Sequence, residues 1–142
     1  MDMSKVVLER QDKIKALAFG YMQNDPNALF FPVAIATSDL AIYIYRDDVA
    51  NEFNGDYYSY KIRKLINHNN IAFVYHETYK KNMLYRDYGR ISIVLKDGGD
   101  NIDICYKKED KVEILGFLKV LGEYGIKTKH RSINKKHLYL VY

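Results

Sequence analysis

From Ala28 to Asp48 the chain reads ALFFPVAIATSDLAIYIYRDD, with one charge, Asp39, in its first eighteen residues. A membrane helix needs about 20 mostly apolar residues, and a charge near its centre is costly. Here Thr37, Ser38 and Asp39 interrupt the run, and such residues favour turns because their side chains bond the nearby backbone. The flanking runs, FFPVAIA and LAIYIY, are built from residues that fit pleated strands better than helices. The stretch therefore predicts a β-hairpin. In its second arm Ile42 and Ile44 share one face and Tyr43 and Tyr45 the other. Pro32 cannot donate to a ladder and belongs at the start of its strand or on an edge.

The same period of two recurs along the chain. It marks strands in DYYSYKIRKLI and NIAFVYHETY, and a hairpin in RISIVLKDGGDNIDICYK, where Gly98 and Gly99 supply the positive φ of a tight turn. KIKALAFGYM predicts a further strand, and MSKVVLER reads as a short helix or another strand. One segment has helical period: KEDKVEILGFLKVLGEYG places Ile114, Leu115, Leu118 and Leu121 on one stripe, with Phe117 beside it. Glu109 and Asp110 suit its positive first turn, and Gly125 suits a left-handed stop. Gly116 and Gly122 each weaken that helix by about 1 kcal/mol relative to alanine, a cost that close approach of a sheet would explain. After the helix, HLYLVY alternates again as a terminal strand that needs a partner.

Composition narrows the class. A chain of 142 residues makes one domain able to bury roughly 68–70% of its unfolded surface, without help from disulfides or metal. Fourteen tyrosines and no tryptophan lean further toward sheet. The N-terminal MDMSKVVLERQDK has no secretory apolar core or cleavage site, and the lone Cys105 forms no internal bridge. Together these point to a reducing, cytoplasmic setting. Net charge is +4, and it concentrates in KTKHRSINKKH, where Lys127, Lys129, Arg131, Lys135 and Lys136 occur without an acid. The rest of the chain is slightly acidic.

About seven strands followed by one closing helix resemble the pleckstrin-homology fold, in particular the bacterial PH-like domains. The resemblance covers roughly residues 14–125. It rests on AIATSDLAIYIY as second and third strands, YSYKIRKLI as fourth, and GRISIVLKDGGDNIDICYKKEDKVEILGFLKVL as last hairpin plus helix. It implies a mainly β architecture: two crossed antiparallel sheets forming a barrel, plugged by the C-terminal helix, with the basic segment and terminal strand added beyond. Two departures stand out. The loop QNDPNALF holds Asp25 and no base where phosphoinositide-binding members carry cations, and the closing helix has no tryptophan.

Chemistry-bearing motifs are few. Cys105 alternates with Ile104 and Tyr106, as a packed thiol does. His76 and Glu77 point to opposite faces of a strand and cannot act as a pair. His68, His130 and His137 lack metal-ligand spacing, and Asp97, Asp100 and Asp103 lack the length and terminal glutamate of a calcium loop. The expectation is a non-enzymatic interaction module without cofactor or metal, making protein contacts or pairing with itself. The tyrosine faces are its candidate contact surface: Tyr43, Tyr45, Tyr57 and Tyr139 either meet a partner or cover a second core. The alternative is an anionic surface, nucleic acid or acidic lipid, gripped by Lys127, Lys129, Arg131, Lys135 and Lys136. The plain reading of those cations is a solvated segment. A small-molecule enzyme ranks third.

Overall fold

In the computed structural model, residues 6–25, 27–47, 53–54, 57–79 and 88–133 are described. The fold is mainly β with one helix. The strands are β1 (Val6–Leu8), β2 (Ala16–Met22), β3 (Phe31–Thr37), β4 (Ala41–Asp47), β5 (Phe53–Asn54), β6 (Tyr57–Asn67), β7 (Ile71–Tyr79), β8 (Gly89–Leu95) and β9 (Ile102–Tyr106). Helix α1 (Lys111–Glu123) and strand β10 (Thr128–Ile133) complete the order.

The expected hairpin at residues 28–48 is present as β3 and β4. Its turn is held by Ser38, whose Oγ accepts from the N–H groups of Leu40 and Ala41 at 3.2 and 3.1 Å. Pro32 sits near the start of β3, ahead of the β3–β4 ladder, which begins at Ala34↔Tyr45. In the β8–β9 hairpin only Gly98 takes positive φ, at 81°; Gly99 does not.

Sheet architecture departs from the expected pair of crossed antiparallel sheets. The strands form one continuous mixed sheet in the order β1-β6-β4-β3-β2-β9-β8-β7-β10, with β5 beside β6. The antiparallel runs β6-β4-β3-β2 and β9-β8-β7 meet through a single ladder pair, Tyr21↔Cys105. Both ends of the order are parallel additions, β1 on β6 and β10 on β7, and among the described residues the sheet does not close on itself. Parallel pairing needs a long crossover, and alternation within a strand does not reveal it.

Two cores follow from the period of two. Inside the curved sheet, Val33, Ile35, Ile42, Ile44, Val74, Ile91, Ile93 and Ile104 pack with Ile114, Phe117, Leu118 and Leu121 of α1. Burying each such side chain contributes about 1.5–3 kcal/mol, so the helix is held chiefly by this face. Leu115, expected on the buried stripe, is instead 40% exposed, and Phe117 takes its place. Among the described residues no atom lies close to where a methyl group on Gly116 or Gly122 would point, so the close approach of a sheet does not explain them.

The second core lies on the opposite face of β2, β3 and β4. Ala34, Ala36, Ala41, Tyr43 and Tyr45 pack there against Leu8, with Ile14 and Ile62 alongside. The small alanines leave room for the N-terminal segment to lie across the sheet. A bulge in β6 makes the fit: Ile44 pairs with Lys64 but Tyr45 with Ile62. The extra residue, Arg63, turns Ile62 toward the tyrosines.

Candidate binding groove

Helix α1 ends where Gly125 adopts φ 86°, a left-handed conformation that only glycine takes without strain. The N–H groups of Gly125 and Ile126 donate to the carbonyls of Gly122 and Leu121. The chain then reverses, buries Ile126 in the main core and runs out as β10. Between α1 and β10 this reversal leaves an open groove of about 680 Å³. Leu115, Leu118 and Ile126 give it apolar walls, Lys119 and Lys127 give it positive charge, and His130 adds an imidazole. Among the described residues, no carboxylate lines it.

Behind the groove runs a chain of hydrogen bonds into the core. His130 and His76 are register partners across the β10–β7 ladder, and their Nδ1 atoms are 3.0 Å apart. The Nε2 of His76 is 2.6 Å from the Tyr106 hydroxyl. His76 is 4% exposed and Tyr106 fully buried. Polar satisfaction assigns the protons. If Tyr106 O–H donates to His76 Nε2, then His76 Nδ1–H donates to His130 Nδ1, and His130 keeps its Nε2–H for the solvent side. The reverse polarity strands the phenolic proton, a loss of about 1–3 kcal/mol for a buried donor.

Electrostatics agree with a neutral His76. Burial, then the neighbouring His130 and Lys111, lowers its pKa to about 4. Burial, then Tyr88, pushes the Tyr106 phenol up to about 12. Gly89 makes the arrangement possible, since a methyl there would sit 2.6 Å from both the Tyr106 hydroxyl and the Glu77 carbonyl. Lys111 Nζ donates to the Tyr88 hydroxyl at 3.1 Å, at the flank of the same cluster.

The residues singled out from the sequence are dispersed. As far as residue 133 the basic segment is not a free tail: residues 128–133 form β10, and Lys127 lies just ahead of that strand and outside its alternation. Lys127 lines the groove, whereas Lys129 and Arg131 turn to the other face of the sheet. Tyr43 and Tyr45 are buried beneath the N-terminal segment, which is the second-core reading of these rings. Tyr57 opens β6 opposite Asn54, and its side chain is outside the described set. Lys135, Lys136, Tyr139 and the strand expected at HLYLVY lie outside the described residues.

Lys119 and His130 are groove residues that sequence reasoning did not assign. The available signal was parity: His76 shares its face with Val74, and a histidine on an apolar face requires a polar partner inside. His76 and Glu77 do point apart, as expected. Glu77 faces outward and accepts from Arg90 Nη2 at 2.7 Å.

No helix among the described residues is long and apolar enough to cross a membrane. No protein-family model matches the chain, and no curated protein matches it. Likenesses among solved structures include two at 12% identity. One is autoinhibited Vav1, with a TM-score of 0.43 over 76% of this chain and 17% of that one. The other is Vav1 inhibited by an allosteric inhibitor, in work on inhibitors that block its GEF activity, with a TM-score of 0.46 over 80% of this chain and 20% of that one. The chain thus spans about a fifth of the length of the proteins it matches.

Proposed function

We propose that this chain is a non-catalytic interaction module of pleckstrin-homology-like architecture, whose α1–β10 groove holds an extended acidic segment of a protein partner. The architectural part rests on strand order: a four-stranded antiparallel run, β2-β3-β4-β6, then a three-stranded run, β7-β8-β9, with α1 packed into the interior between them. A reducing, cytoplasmic setting fits, because a single cysteine leaves no disulfide to form within the chain.

One observation carries the functional part: an apolar groove bordered by Lys119, Lys127 and His130 and, among the described residues, by no carboxylate. Magnitudes separate the roles of its walls. Exposed ion pairs contribute about 0–1 kcal/mol each, whereas burying one leucine-sized side chain contributes about 1.5–3 kcal/mol. Leu115, 40% exposed beside the buried Leu118 and Ile126, therefore offers the apolar surface that supplies affinity, and the cations select the sign of the partner. A bare anion leaves the apolar wall in water, while a peptide alternating acidic and apolar side chains satisfies both.

The test is a fluorescence titration of the chain with labelled peptides of alternating Glu and Leu, and with Lys/Leu counterparts. The acidic peptide should bind, and the double reversal Lys119→Glu with Lys127→Glu should abolish that binding while leaving the circular dichroism spectrum unchanged. Equal binding of both peptides, or indifference to the reversal, overturns the proposal.

A further inference from the structure

The outer face of the β7–β10 pair carries a different chemistry from the groove. Phe73 and Tyr75 stand two residues apart on β7 and project away from the interior, where Val74 and His76 are buried. They join neither core. Their rings meet edge to face, with centroids 4.9 Å apart at 90°, which fixes the orientation of Tyr75. Tyr75 is 37% exposed.

Lys129, its register partner on β10, places Nζ 3.9 Å from the Phe73 ring centre and 5.9 Å from that of Tyr75. The cation thereby caps Phe73 closely and stands farther from Tyr75, which remains partly exposed beside it. Arg131 follows on the same face, opposite Glu77, whose carboxylate already accepts from Arg90. Across the row Lys129–Tyr75–Ser92–Asp103, positive charge lies at the β10 side and the carboxylate at the β9 side. Asp103 is engaged there by the Ser92 hydroxyl at 2.6 Å.

We infer that this face binds single-stranded nucleic acid, with a base stacked on Tyr75 and the backbone phosphates beside Lys129 and Arg131. An open aromatic ring takes any base by its π-face, and cations spaced along a strand follow the sugar–phosphate chain. A duplex hides its base faces and offers the ring nothing. The acidic side of the row directs the backbone to the β10 edge.

Fluorescence anisotropy tests this with a labelled oligothymidylate of about 15 nucleotides, its duplex form, heparin and acidic phospholipid vesicles, over about 20 to 200 mM salt. The single strand should bind in preference to the other three, with a log–log salt slope of about −1.4, or about −0.7 for each of two cations. Tyr75→Ala should weaken binding about tenfold, and Tyr75→Phe should leave it unchanged. Lys129→Gln should flatten the slope by about 0.7. Absence of binding at the lowest salt overturns the inference. So does equal binding of duplex, heparin or vesicles, or a Tyr75→Ala variant that binds like the native chain. The groove is not touched by any of these substitutions, so its peptide titration reads out independently.

Discussion

The hydroxyl of Tyr45 donates to the backbone carbonyl of Glu9 at 2.6 Å, a bond between residues 36 positions apart that fastens the N-terminal segment over β4. The Glu9 carboxylate completes the clasp by accepting from the Ile62 N–H at 2.9 Å. These bonds explain why a fully buried tyrosine occupies a face that would otherwise want an aliphatic residue.

Tyr45→Phe removes the bond and leaves the Glu9 carbonyl to find water, at a cost of about 1 kcal/mol. Urea denaturation should show a lower midpoint with an unchanged m-value. Burial foremost, with Tyr43 and Glu9 adding to it, pushes the Tyr45 phenol up to about 12 from 10.0. A folded-state pKa raised above the unfolded one means that the unfolded chain loses its proton first. Stability is therefore full below pH 10 and declines as pH rises toward 12; in Tyr45→Phe this part of the decline should vanish.

His76 sets the acid side. Its pKa falls from 6.5 to about 4, chiefly through burial, so between those values the unfolded chain binds a proton that the folded chain refuses. Stability present above pH 6.5 should be lost as pH falls toward 4, by an amount on the order of 3 kcal/mol. Thermal denaturation at a series of pH values checks this. A His76→Gln variant, which keeps hydrogen-bonding groups but does not titrate, should flatten that part of the profile whatever its starting stability.

Gly89→Ala should destabilise the fold by about 2 kcal/mol or more. The added methyl meets the Glu77 carbonyl and the Tyr106 hydroxyl at 2.6 Å, one a backbone atom and the other the end of a fully buried ring, and neither gives way easily. Chemical denaturation of the purified variant reads the effect directly.

Gly116→Ala should do the reverse. The position is helical, exposed and free of neighbours, so the gain in helix propensity, about 1 kcal/mol, is not offset by a clash. A rise of a few degrees in melting temperature is the expected outcome.

The alternation of side chains made most of the strands and the helix legible in the sequence, because a residue's face depends only on its neighbours within the element. Ile42 and Ile44 separate from Tyr43 and Tyr45 as their positions dictate. What alternation does not encode is which faces meet water and which edges find partners. Tyr43 and Tyr45 are covered by Leu8 and Ile14, a contact fixed by the small alanines of β3 and by the bulge at Arg63. The division of His130, on the groove side, from Lys129 and Arg131 depends on β10 pairing with β7, a parallel match across more than fifty residues. The groove was illegible for the same reason. Lys119 and His130 become neighbours only once the left-handed turn at Gly125 folds the chain back.

The single rung at Tyr21↔Cys105 makes a crease down the middle of the molecule. Backbone hydrogen bonding contributes little to keeping the two flanking ribbons together there, so their union rests on the grease they share with the helix. Loosening α1 would therefore part the halves like a book along its spine while every leaf stayed intact. Amide protons of β2 and β9 bordering that line should be the first in the sheet interior to exchange.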